Sequence, residues 1–186
     1  MAPIAQDADS PPTIELHQYL PQDRAAVVEL FRDGMMHYTN EGDPQYSVWE
    51  NYVKSSMESD LADIEGVYLS NGGNFWVALA TSSDDDQKIV RTLAIEKKQL
   101  GGVGELMRVS VHSAFHRFGI GRLLLHHGET WARTNKFEKL ILSNAKTMAP
   151  AHRFYTSLGY THTKTTVFSH DPFFELTHFE KQLLQP

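Results

Sequence analysis

GELMRVSVHSAFHRFGIGRLLLHHGETWART, residues Gly104 to Thr134, changes its period half-way along. Glu105–Val111 carries Leu106, Val109 and Val111 and suits a strand, with β-branched residues near its end. A polar crossing at His112-Ser113 follows, then His116-Arg117-Phe118-Gly119-Ile120-Gly121-Arg122. From there Ile120, Leu123, Leu124 and Trp131 keep a helical period, so the spacing predicts a helix that opens inside the glycines. A helix starting in such a turn offers unpaired backbone N–H groups and the positive end of its dipole. Glycine removes the Cβ that would hold a ligand away from those donors. Phosphate or pyrophosphate is the ligand this arrangement suits, and Arg117 and Arg122 add charge beside it. The alternative is a tight strand-to-helix turn whose glycines serve packing alone.

Two phosphate-binding patterns are excluded. A P-loop requires Lys-Ser/Thr after its glycines, and Gly121 is followed by Arg122-Leu123. A dinucleotide fingerprint requires three spaced glycines directly after the strand and an acid about 20 residues on. Here the crossing separates the strand from two glycines.

Outward from this stretch, a strand is expected over Ile14–Leu20, then a helix opened by Pro21-Gln22-Asp23 with Val27, Val28, Leu30, Phe31 and Met35 on one face. Thr39–Pro44 reads as a loop and Tyr46–Met57 as a second helix. Asn74–Ala80 and Lys88–Glu96 read as strands about a Ser82–Asp86 turn, and Gly101-Gly102 leads into the Glu105 strand. After the central helix come a short strand, Lys139–Asn144, and a helix bounded by Pro150 at its start and Gly159 past its end. A hairpin of Thr161–Ser169 and Phe174–Phe179 closes the chain. The order βααβββαβαββ predicts a mixed α/β (α+β) fold, a central mixed and mostly antiparallel sheet with helices on both faces. Residues 1–12 read as a disordered tail and 13–186 as one domain.

Composition bounds the function. A hydrophobic share of 41% supports a core, and the absence of cysteine excludes disulfides, thiolate metal sites and a cysteine nucleophile. A net charge of −6 without a basic cluster argues against nucleic-acid binding. No apolar run approaches the roughly 20 residues of a membrane span, and no secretory signal is visible, so no membrane association and a cytoplasmic location are expected. His126 and His127 are adjacent and point apart, so no metal site is expected.

Two motifs carry a family resemblance. His116-Arg117-Phe118-Gly119-Ile120-Gly121 resembles the Gln/Arg-x-x-Gly-x-Gly/Ala signature of the GCN5-related N-acetyltransferases (GNAT), with histidine in the first position. Ala151-x-x-Phe154-Tyr155-x-x-x-Gly159-Tyr160 resembles that family's second signature and falls in the matching place, after the strand that follows the central helix. The resemblance covers roughly Ile14 to Leu183. A weaker one links Asp60–Ile64 and Phe75–Ala78 to the camello-like branch, whose frequent membrane segment is missing here.

The GNAT resemblance implies the acyl-CoA N-acyltransferase fold, acetyl-CoA as co-substrate without a metal, and direct acetyl transfer to a primary amine on a small molecule, peptide or protein. It implies a splayed strand edge at Val109, Ser110 and Val111, where Val109 N–H polarises the acetyl carbonyl and Val111 grips the pantetheine. Arg117, Phe118, Gly119, Ile120, Gly121 and Arg122 would hold the pyrophosphate, and Asn144 the CoA chain. Tyr155 would protonate the departing thiolate, its phenol having an ordinary pKa of about 10. Glu105 would be the base for the amine, with His112 or water as alternatives. The family's first two helices shape the acceptor pocket, where Glu41 and Asp43 would either meet a cationic amine or, the reading favoured here, form a solvated acidic loop. A monomer or homodimer is expected. The rival reading is a noncatalytic CoA-binding or interaction module on the same fold.

Overall fold

The computed structural model describes residues 13–81, 87–99, 101–115 and 119–183. Its strands are β1 (Thr13–Gln18), β2 (Asn74–Thr81), β3 (Gln87–Lys97), β4 (Val103–Val111), β5 (Lys139–Ala145), β6 (Thr161–His170) and β7 (Phe173–Gln182). Its helices are α1 (Arg24–Met36), α2 (Tyr46–Glu58), α3 (Ile120–Thr134) and α4 (Ala149–Ser157). The element order is the one expected. The expected tail at 1–12 and the Ser82–Asp86 turn lie outside the described residues.

The strands form one sheet in the order β1-β2-β3-β4-β5-β7-β6. Every pairing is antiparallel except β4 with β5. Alternation along the central strands divides the core between two faces. Phe75, Val77 and Ala94 meet Val27, Leu30 and Phe31 of α1 and Val53 of α2. Trp76, Leu93 and Ile95 meet Leu124, Leu125 and Ala132 of α3, in a layer that also holds Tyr155 and Tyr160. A π-helical turn at Glu65–Leu69, not expected from the sequence, carries Tyr68 into the first layer.

Two irregularities at β4 open the sheet. Thr92 pairs with Ser110 and Ala94 with Met107, so Arg108 and Val109 together face Leu93 across a bulge. Arg108 takes φ 52° there, a conformation unusual for a side-chain-bearing residue, and Thr92 Oγ1 donates to its carbonyl at 2.6 Å. On the other edge, β4 meets β5 through only three residue pairs, ending at Glu105 with Ile141. Beyond them the strands part. The stretch Leu106–Val111 therefore has no strand partner on its β5 side among the described residues.

Candidate active site

The parted strands enclose a cleft of about 420 Å³. Val109, Ser110 and Val111 form one wall, Asn144 the other, and Tyr155 of α4 projects into it. These expected site residues are brought together. The carboxamide Oδ1 of Asn144 and the hydroxyl of Ser110 are buried without a hydrogen-bond partner among the described residues. Buried polar atoms left unpaired are costly, and here they border a space a polar ligand can fill.

Tyr155 is 6% exposed, set edge-on to Phe154 and Tyr160. Pro150 in the first turn of α4 and Gly159 at φ 86° just beyond its end fix the length of that helix, and with it the place of Tyr155. Burial pushes the phenol's pKa up, against an opposing pull from the Arg91 charge. The phenol is thus held protonated at neutral pH, as a proton donor must be.

At the head of α3, Gly119 is the N-cap in the left-handed region, φ 70°. Ile120 turns its side chain into an apolar cluster with Ala78, Ala80 and Val90, which leaves its backbone to the turn. Gly121 is buried against Arg91. Arg122 is exposed and donates to Ser157 Oγ at 3.3 Å, tying α3 to α4 at the rim. Arg117 and Phe118, also expected here, lie outside the described residues.

Glu105 is not brought to this cleft. It sits where β4 and β5 are still paired, opposite Glu96 of β3, and Lys98 Nζ lies 2.9 Å from its carboxylate and 3.4 Å from that of Glu96. The carboxylate answers a cross-strand like-charge contact through a shared lysine. His112 also stands outside, in an adjoining cavity of about 550 Å³, with its ring 2.9 Å from Lys88 Nζ. The loop acids do not reach the cleft either. Asp43 accepts from Asn40 N–H at 2.7 Å within its own turn, and Glu41 is exposed.

Aromatic side chains build the far end of the cleft. Tyr38 stacks on Trp49 at 5.7 Å, and Trp49 meets Phe174 edge-on at 5.4 Å. Among the described lining residues there is no carboxylate; the charged ones are Arg91 and Arg108. Arg108 is neutralised where it stands. Its Nε is 2.7 Å from Asp60, its Nη2 contacts the same carboxylate, and Nη1 donates to Tyr52 Oη at 3.0 Å. Tyr68 Oη donates to Asp60 at 2.5 Å, and the guanidinium lies 4.6 Å over the Phe31 ring. Burial raises the Asp60 carboxyl, yet hydrogen bonds and charge from Arg108 outweigh it and hold the group below its ordinary value. Sequence reasoning missed Arg91, Arg108 and this aromatic chamber. The one local signal was a charge within an apolar strand.

Residues 28–160 match the acetyltransferase (GNAT) family. The chain belongs to that family. N-acetylaspartate synthetase of Xenopus tropicalis is 29% identical over 134 residues, 72% of this chain and 46% of that protein. The human N-acetylaspartate synthetase is 30% identical over 112 residues, 60% of this chain and 35% of that protein. N-acetyltransferase family 8 member 3 of Mus musculus is 27% identical over 126 residues, 66% of this chain and 54% of that protein, in keeping with the weaker camello-like resemblance. The chain thus spans about half or less of the length of these relatives. Among solved structures, a GNAT acetyltransferase from Staphylococcus aureus Mu50 superposes with a TM-score of 0.72 at 19% identity, covering 92% of this chain and all of that one. The PaiA N-acetyltransferase of Thermoplasma acidophilum, solved in complex with coenzyme A, gives 0.67 at 17% identity over 91% of this chain and 99% of that one. These likenesses establish the GNAT fold. Among the described residues, no helix is long and apolar enough to cross a membrane.

Proposed function

We propose that this chain moves the acetyl group of acetyl-CoA directly to a primary amine. The observation that carries the reading is the unpaired β4 edge at Val109–Val111, facing Tyr155 across one cleft. That edge, the Ser110 hydroxyl and Asn144 Oδ1 suit the amide-rich pantetheine, and the first turn of α3 suits its diphosphate. The amine nitrogen attacks the thioester carbonyl, whose oxygen Val109 N–H stabilises as charge builds on it. The C–N bond forms, the C–S bond breaks, and Tyr155 Oη gives its proton to the departing thiolate. The amine's surplus proton leaves to solvent, and Tyr155 is reprotonated from the same source.

The nucleophile must be the neutral amine. An apolar cleft with no carboxylate among its described lining residues disfavours the ammonium form, so the acceptor is held uncharged without a dedicated base. In this reading Glu105 serves β3 and β4 through Lys98. The chamber of Tyr38, Trp49 and Phe174 favours an amine on an apolar or aromatic body over a polycation.

Thiol release from acetyl-CoA, measured against aromatic and aliphatic amino acids, arylalkylamines, polyamines and short peptides, tests this. Turnover with apolar amines is expected. Turnover confined to polyamines would refute the acceptor assignment, and CoA binding without turnover would favour the noncatalytic module. Tyr155→Phe is expected to keep CoA affinity while kcat falls about a hundredfold or more.

A further inference from the structure

Arg91 stands on β3 opposite Val111 and is only 9% exposed. Among the described residues its buried Nε has no hydrogen-bond partner and no carboxylate pairs with it. The guanidinium presses into the first turn of α3. A Cβ at Gly121 would fall 1.5 Å from Nη1 and 2.5 Å from Cζ, so the glycine at 121 is what admits the group. Burial draws its pKa down to about 10, which still leaves the charge in place at neutral pH.

A cation buried beneath a helix N-terminus is disfavoured twice, by lost hydration and by the positive end of the dipole. Arg108, a similarly buried arginine one strand away, shows how this chain treats a structural cation: it supplies Asp60. Arg91 receives no such partner among the described residues. The N–H groups opening α3 and the exposed Arg122 add only positive character to the same spot. A ligand anion would supply the negative charge that the described residues do not.

We propose that Arg91 is a donor-binding residue whose guanidinium acts as the inner counter-ion of the CoA diphosphate, reaching the first turn of α3 from the sheet side. This rests on the acetyl-CoA reading above. The other anion the reaction offers is the departing thiolate beside Tyr155, and a donor without phosphates separates the two.

The test compares wild type, Arg91→Met and Arg91→Lys by calorimetric titration with CoA, by melting temperature, and by turnover with acetyl-CoA and with acetylpantetheine. Arg91→Met should bind CoA about ten- to a hundredfold more weakly, the loss of charge-assisted hydrogen bonds. Arg91→Lys should recover part of that. The free Arg91→Met protein should melt no lower than wild type, because an uncompensated charge has been removed, and its acetylpantetheine turnover should fall far less than its acetyl-CoA turnover. Equal CoA affinity would overturn the proposal. So would a collapsed melting temperature, which would make the guanidinium structural. An equal fall in acetylpantetheine turnover would move its charge to the thiolate instead. Failure of the wild type to bind CoA would sink the underlying functional reading, a distinct outcome.

Discussion

Removing the Asp60 carboxylate should be among the most damaging single changes the fold can suffer outside its apolar core. Asp60 receives Arg108 Nε and Nη2 together with the Tyr68 hydroxyl, and the Arg108 side chain is only 4% exposed. Asp60→Ala strands that guanidinium with the Tyr52 hydroxyl as its remaining hydrogen-bond partner. Breaking a buried pair from one side costs about 3–5 kcal/mol. For a chain of this size, that is a fall in melting temperature of about 6–20 °C. The double variant Asp60→Ala/Arg108→Met removes the stranded charge and should regain much of the loss, a non-additivity readable by urea unfolding. The carboxyl's folded pKa lies below its ordinary 3.8. Its contribution is therefore full above that value and is lost as pH falls through the folded one. Acid unfolding below about pH 4 should accordingly contain a component that Asp60→Asn lacks. A loss under about 1 kcal/mol for Asp60→Ala, or a double variant no more stable than the single, would refute the reasoning.

Glu105→Gln should leave kcat and its pH profile within about twofold of wild type, because the carboxylate is engaged by Lys98; a hundredfold loss would restore it as a base. Gly119→Ala should destabilise by about 1–2 kcal/mol through its left-handed backbone. Nothing described lies within 4 Å of the added Cβ, so the effect should appear in urea unfolding of the free protein; an unchanged midpoint would contradict it.

The order of elements was legible because hydrophobic period and punctuation agree. Pro150 and Gly159 frame α4 within residues of its observed ends, and Gly119 marks the head of α3. That Tyr155, Val109–Val111 and Asn144 would border one cleft was legible through the family motifs, because each stands at a fixed offset from a motif or a strand end. What escaped depended on distant partners. Arg108 looks anomalous in an apolar strand until Asp60, 48 positions earlier, is folded against it. Glu105 was expected to be the base, yet its carboxylate meets Lys98, one residue past the end of β3, a contact that no offset along β4 reveals. The acidic loop left a cationic acceptor open beside a plain solvated turn; Asp43 folds back on its own turn, while aromatic residues from α2 and β7 line the cleft.

The three-pair seam between β4 and β5 also has a mechanical meaning. It joins a four-stranded panel, β1 to β4, to a three-stranded one, β5, β7 and β6. Apart from that seam, the panels share the apolar layer beneath α3 and α4, and Trp49 of α2 packs with Ala145 of β5 and Phe174 of β7. A molecule lying along the gap acts as a splint: it bonds to both panels and stiffens the joint between them. On the proposed donor reading, amide exchange should slow on β5 as well as on β4 when acetyl-CoA binds.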